Sequence, residues 1–147
     1  MFKHILAPTD GSKLSLKAID LAITIAKESG ASLTALAVMP SYPMVYGGEG
    51  YMLQTMTPGD WDNAMKKQAA NHLGIVEKRA KAKNVAIEKV TVLNDEPYSG
   101  IIATAKKKKC DVIVMASHGR GGISALLLGS VTMKVLAHSK VPVLVCR

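Results

Sequence analysis

The sequence predicts an α/β fold, a five-stranded parallel sheet with helices on both faces. Short apolar runs alternate with segments of helical periodicity along the chain, as expected when parallel strands are joined by helices. The run DVIVMA, residues 111–116, is apolar after its first residue, which is typical of a strand covered by helices on both faces. Turn-forming residues such as Pro-Thr-Asp-Gly, residues 8–11, end the apolar runs.

Five strands and four helices follow from these patterns. The strands are expected at residues 3–7, 32–39, 85–93, 111–116 and 141–146. The helices are expected where apolar residues recur every three or four positions, at residues 12–28, 61–83, 98–108 and 130–138. Residues 40–58, rich in Tyr, Met, Gly and Pro, predict a long loop that is either functional or a variable insertion.

The composition is that of a globular protein. The chain has 147 residues, 48% of them hydrophobic and 20% charged, which predicts a single domain over residues 1–147. No apolar run reaches the length of a membrane span and the first residues do not form a signal peptide pattern. A cytoplasmic protein with no membrane partner is therefore expected.

The net charge of +8 favours anionic partners in general. Its densest run, residues 106–109, is interpreted as a solvated helix end, because no aromatic residues are interleaved with the lysines to stack on bases. Nucleic acid is therefore a disfavoured partner. The cysteines and histidines have no metal-ligand spacing, so no metal site is predicted.

Polar and glycine-rich segments follow three of the predicted strands. Asp10 follows the first strand, Val38 lies near the end of the second, and the stretch ASHGRGGISALLLGS, residues 116–130, follows the fourth. Because ligands of such sheets bind beyond the carboxyl ends of the strands, these segments predict one ligand site.

The Gly129-Ser130 pair opens the last helix. A helix N-terminus offers free backbone N–H groups and a partial positive charge, so Ser130 and the Val131 N–H could bind phosphate while Gly129 lets the backbone approach it. On this interpretation a side chain at position 129 would occupy the space of the phosphate. The alternative is that Ser130 is only an N-cap and the glycines are only turns. Neither the Walker pattern nor G-x-G-x-x-G is present.

The chain resembles the universal stress protein family. Members of its ATP-binding branch carry the motif G-2x-G-9x-G-[ST] after the fourth strand, and Gly119, nine residues, Gly129 and Ser130 match its later elements. The family's opening P-x-D-G-S is matched by residues 8–12, and its usual ending by HSKVPVLV, residues 138–145. The resemblance covers the whole chain and implies a Rossmann-like sheet of the adenine nucleotide alpha hydrolase type.

The resemblance implies an adenine nucleotide site, for ATP with or without Mg²⁺. In the family, Asp10 would lie against ribose and adenine, and Val38 would bond adenine through its backbone. Ala116 departs from the motif, since it stands where the family has glycine; if that position needs a positive φ, alanine costs about 1 kcal/mol. The implied site comprises Pro8, Thr9, Asp10, Val38, Ala116, Ser117, His118, Gly119, Arg120, Gly129, Ser130 and Val131.

Three functions are compatible with these residues. The favoured one is an ATP-binding regulatory module of the stress response. A slow ATPase or phosphotransferase is the second, with Asp10 as the one acid near the loop and His118 as the only plausible base, which is too small a set for a dedicated enzyme. A dimeric interaction protein that binds no nucleotide is the third.

The last strand predicts a homodimer. Residues 141–146 (VPVLVC) carry no charge, and an edge strand of this kind invites pairing with a second copy. Cys110 opens the fourth strand and Cys146 closes the fifth, so the two thiols are expected at opposite ends of neighbouring strands and unpaired within one chain.

Overall fold

The computed structural model describes residues 1–43, 56–120 and 127–147, in which five strands alternate with four helices. The strands are β1 (His4–Pro8), β2 (Ser32–Met39), β3 (Ile87–Leu93), β4 (Val112–Ala116) and β5 (Val143–Cys146). The helices are α1 (Lys13–Ser29), α2 (Pro58–Ala82), α3 (Pro97–Lys107) and α4 (Ser130–His138). The predicted fold class is confirmed. Most of the loop predicted for residues 40–58 lies outside the described residues.

The sheet has the strand order β3-β2-β1-β4-β5, and each neighbouring pair is parallel. From β1 the chain passes to β2 on one side, whereas β4 lies on the other side of β1. The strand order therefore reverses between β1 and β4, and the space beyond their carboxyl ends is where sheets of this type bind ligands.

Side chains that alternate along β1 enter two separate apolar layers. Ile5 packs with Ile23 of α1 and Val76 of α2, so these two helices cover one face of the sheet. Leu6 lies in the other layer with Val135 of α4, and α3 also packs there. In the described residues no helix combines the length and the apolar character that a bilayer crossing requires.

The helix ends follow from local sequence. Ser12 caps the start of α1, and Gly30 ends it in the left-handed conformation, with φ of 68°. Helix α2 begins at Pro58 and not at residue 61, so the predicted start was wrong by one turn. Thr57 accepts a hydrogen bond from the Asp60 N–H, and proline suits the first position of a helix.

Two strands begin two residues later than predicted. The Val85 N–H donates to Ala80 at the end of α2, so residue 85 still belongs to the helix exit. The Val141 N–H donates to the Ser139 hydroxyl in the turn before β5. Both strands therefore start only after the preceding turn has used these backbone donors.

Candidate functional site

A cavity of about 400 Å³ opens where the strand order reverses, beyond the carboxyl ends of β1 and β4. We call it the switch-point cleft. All the residues of the predicted site line it except Ser117, which is buried directly behind His118. Sequence reasoning missed the rest of the lining, namely Ser15, Leu36, Pro97, Ile101, Met115 and Thr132.

The turn after β1 is held by its own side chains. The Thr9 hydroxyl accepts from the Gly11 N–H at 3.1 Å and bonds the Ser15 hydroxyl at 2.9 Å. Asp10 accepts from the Ser12 N–H at 2.9 Å through Oδ1. Gly11 has φ of +77°, which explains why glycine follows the aspartate. The turn is therefore a rigid wall of the cleft that presents one carboxylate.

The Asp10 carboxylate joins this turn to the loop after β4. Its Oδ2 accepts the Arg120 N–H at 3.1 Å. Burial would raise the pKa of Asp10, but the hydrogen bonds from Ser12, Ser15 and Arg120 outweigh it and hold the pKa below its usual value. Asp10 is therefore ionised at neutral pH, and both of its oxygens already accept a backbone N–H.

Gly119 makes the contact between the two loops possible. A Cβ on Gly119 would lie 2.5 Å from Oδ2 of Asp10, so only glycine lets the backbone come this close. The two loops thus meet over the carboxyl end of β1.

The loop after β4 is closed at its base. The Gly129 N–H donates to the Ser117 carbonyl at 2.7 Å, and the Ser117 N–H donates to the Cys146 carbonyl at 2.8 Å. The Thr132 hydroxyl donates to the Ala116 carbonyl at 2.9 Å. These bonds fix the start of α4 against the ends of β4 and β5. The residues between, 121–126, lie outside the described part of the chain.

Gly129 has a packing reason to be glycine besides the one predicted. A Cβ there would lie 3.0 Å from the Cα of His118 and 3.4 Å from the Ser117 carbonyl oxygen. A side chain at this position would therefore crowd the facing loop segment unless that segment shifted by a few tenths of an ångström, and a Gly129→Val substitution would test this packing as well as a ligand. The interpretation that the missing side chain also makes room for phosphate stays a prediction.

Ser130 is the first residue of α4, and Gly129 is its N-cap. The alternative that Ser130 serves as the N-cap is therefore wrong. The first intrahelical bond runs from the Met133 N–H to the Gly129 carbonyl, so the N–H groups of Ser130, Val131 and Thr132 precede the helical ladder. Ser130 is exposed, and its hydroxyl and these donors face the cleft end of the helix.

Ala116 is the last residue of β4 and is buried. Among the described residues the positive φ angles belong to Asn84, Lys109 and two glycines, so Ala116 carries no left-handed strain. The expected cost of about 1 kcal/mol does not arise. What remains of the departure from the family motif is one methyl group in the cleft wall.

Arg120 points away from the start of α4. Its Nη2 lies 3.0 Å from Nε2 of His72, on the side of the sheet covered by α1 and α2. His72 was not predicted, because a single histidine in the middle of a helical segment carries no signal. The two side chains also line a second cavity of about 140 Å³, which adjoins the cleft at Asp10 and Val38.

No metal centre is built from these side chains. In residues 1–43, 56–120 and 127–147, no three His, Cys, Asp or Glu side chains come together as metal ligands would. The carboxylate of the cleft, Asp10, is occupied by backbone donors.

The chain is similar to known proteins over its whole length. The model of the universal stress protein family matches residues 1–147. Universal stress protein MJ0531 of Methanocaldococcus jannaschii is 35% identical over all of this chain and 83% of its own length.

Two solved structures share the fold over nearly the full length. The structure of MJ0577 from the same organism has a TM-score of 0.81 and 25% identity, and the match covers 99% of this chain and 96% of that one. A universal stress protein in complex with cAMP has a TM-score of 0.72 and 28% identity, and the match covers 99% of this chain and 97% of that one. The chain belongs to the universal stress protein family.

Proposed function

We propose that the protein is an ATP-binding regulatory module of the stress response that acts as a homodimer. The observation that carries the proposal is the switch-point cleft, which brings Asp10, Val38 and the start of α4 around one cavity. Its volume of about 400 Å³ is within the usual range of small-molecule sites. The relative in complex with cAMP supports an adenine nucleotide as the ligand class.

The adenine end of the ligand fits the end of β2. The Leu36 carbonyl accepts from the Thr9 N–H, and in a strand the backbone groups of alternate residues point to the same side. The backbone of Val38 therefore points past the end of β1, where an adenine edge can pair with it. Pro97 and Ile101 of α3 add apolar surface for the ring.

The phosphate end fits the start of α4. The N–H groups of Ser130 and Val131 lie at the positive end of the helix dipole, and the Ser130 hydroxyl adds a donor. With no cluster of ligating side chains among the described residues, Mg²⁺ would be held chiefly by the phosphates. The ion would neutralise phosphate charge.

Binding is favoured over catalysis, because Asp10 and His118 are too small a set for a dedicated enzyme. Asp10 accepts backbone N–H groups through both oxygens, and Nδ1 of His118 lies 3.1 Å from the Ser117 hydroxyl. The cytoplasmic location, the single domain and the homodimer all stay predictions.

Calorimetric titration with ATP tests the proposal. Wild type should bind, and Ser130→Ala should weaken binding by about 1–3 kcal/mol, because a hydrogen bond to a charged phosphate is lost. Ser32→Ala is the matched control, since this exposed serine opens β2 at the opposite end of the sheet. It should bind as wild type does. Absence of wild-type binding at millimolar ATP would leave the protein as a dimeric interaction module without nucleotide.

Titration of an Ala116→Gly variant tests whether the alanine methyl group limits ATP binding. The substitution introduces the family's glycine and removes a methyl group from the cleft wall. Because Ala116 is not strained, we expect a change in ATP affinity of less than about threefold. A much larger gain would mean that the methyl group, and not the loop, limits nucleotide binding.

A further inference from the structure

Residue His72 joins the two loops of the cleft from a third element. It lies on α2, between the buried positions Ala69 and Leu73, and is partly exposed. A Cβ on Gly11 would lie between 2.4 and 2.8 Å from atoms of the His72 ring. The ring therefore packs directly on the backbone of the turn that carries Asp10.

The same ring holds the loop after β4. Its Nε2 lies 3.0 Å from Nη2 of Arg120. A guanidinium group can only donate, so Nε2 must be unprotonated and accept this bond. The Arg120 N–H in turn donates to Asp10. A closed set of contacts thus runs from α2 to one loop, across to Asp10, and back to α2 through Gly11.

We infer that His72 is a positioning residue, which in its neutral form holds Asp10 and Arg120 in the geometry that an adenine nucleotide requires. The inference rests on the proposed function, because the nucleotide is the ligand for which this geometry matters. His72 itself lines the second cavity and not the switch-point cleft. It acts through Arg120 and Gly11 and does not touch the nucleotide.

The protonation state of His72 follows from its surroundings. The charged groups that act on it are Arg120 from the loop after β4 and Asp10 from the turn after β1. Burial lowers the pKa of His72 and Arg120 lowers it further, while Asp10 raises it, and the net direction is downward. The bond to Arg120 is therefore present at neutral pH and is lost when the pH falls through the lowered pKa.

Two substitutions separate the acceptor from the bulk of the ring. His72→Leu fills the space but cannot accept, whereas the amide oxygen of His72→Gln can accept from Arg120 and does not titrate. We expect His72→Leu to weaken nucleotide binding by about fivefold to tenfold near pH 7.5, and His72→Gln to bind within about twofold of wild type. His138→Leu, an exposed histidine at the far end of α4, should have no effect.

The pH profile distinguishes this role from a merely structural one. As the pH falls from about 7.5 through the lowered pKa of His72, affinity should fall more in wild type than in His72→Gln, and the extra loss should approach the factor lost in His72→Leu. Protonation of the nucleotide's own phosphates affects both proteins equally, so the difference reports His72. Equal profiles, or a His72→Leu variant that binds as wild type while melting at the same temperature, overturn the inference.

A measurement without nucleotide keeps the two proposals apart. By NMR, the pKa of His72 should rise in Arg120→Gln, because the substitution removes a positive charge next to the ring. An unchanged pKa of His72 would contradict the contact between His72 and Arg120, whatever the protein binds. A wild-type protein that binds no adenine nucleotide overturns the proposed function, and with it the role assigned to His72.

Discussion

Strands β3 and β5 form the two edges of the sheet, and their side chains differ in charge. On β3, Glu88 forms an ion pair with Lys108, and Lys89 forms one with Glu77 at 2.8 Å. Charged side chains on an edge strand discourage pairing with another chain. The β3 edge is therefore expected to stay exposed to solvent.

The β5 edge carries no charge. Its residues are Val-Leu-Val-Cys, and Leu144 is 38% exposed. Helix α4, which packs on β5 through Val135, exposes Met133 and Leu136 as well. The two edges of the sheet therefore differ in the charge of their side chains, and the contrast supports the prediction that β5 pairs with a second copy.

The largest expected effect comes from removing one outward N–H on β5. The Ile113 N–H donates to the Pro142 carbonyl, and the Ser117 N–H donates to the Cys146 carbonyl. The backbone groups of the even-numbered residues of β5 therefore face β4, and the N–H of Val145 faces outward. Val145→Pro deletes a donor that only a partner strand would use, and proline is tolerated at such a position. Sedimentation at micromolar concentration should show a dimer in wild type and a monomer in this variant.

The matched control lies on the opposite edge. The Asn94 N–H donates to Met39, so the odd-numbered residues of β3 point away from β2. Thr91→Pro removes an equivalent outward donor and should leave the dimer intact. A dimer that survives Val145→Pro but not Thr91→Pro would show that the chains pair through β3 and not through β5.

A smaller effect is expected when the charge on β3 is removed. Lys89→Val leaves an outward β-branched residue in place of the cation paired with Glu77. The β3 edge then carries one charge fewer, and we expect concentration-dependent association beyond the dimer, visible by light scattering. Lys17→Val, an exposed lysine on α1, controls for the loss of one charge. Equal association of the two variants would show that net charge matters and the edge does not.

Much of this fold follows from sequence pattern. Uniform apolarity predicts β4 to within one residue, and the Ser12 cap and Gly30 bound α1 as expected. The start of α2 was missed because Pro58-Gly59 is also typical of a turn. Hydrophobic pattern and helix caps depend on residues that are close in sequence, so they can be recognised without the tertiary structure.

The site was predictable where its residues lie in loops or at the ends of strands and helices. Asp10 and Ser130 stand next to turns and glycines, which single them out. Pro97 and Ile101 reach the cleft because α3 packs across the sheet end, and His72 reaches the turn after β1 because α2 passes over that turn. Such contacts depend on how helices pack, and a single sequence does not encode them in any local pattern.

The smallest expected effect uses the two cysteines as reporters of the β5 edge. In register, Cys146 lies opposite Ala116, while Cys110 precedes β4, so roughly 20 Å of strand separates them and both are free. The predicted placement of the two thiols at opposite ends of neighbouring strands is confirmed, and the absence of an intrachain disulfide stays a prediction. Burial raises the pKa of Cys110 to about 11, so about one Cys110 in a thousand is thiolate at pH 8.

Alkylation at pH 8 should therefore modify Cys146 at least about tenfold faster than Cys110, with mass spectrometry of peptides as the readout. The Cys110 rate should rise as the pH approaches 11. If a second copy pairs with β5, it shields the partly exposed Cys146, and Val145→Pro should raise the Cys146 rate by about twofold to fivefold while leaving Cys110 unchanged. Faster labelling of both thiols would indicate a loosened fold, and no change at Cys146 would argue that this edge has no partner.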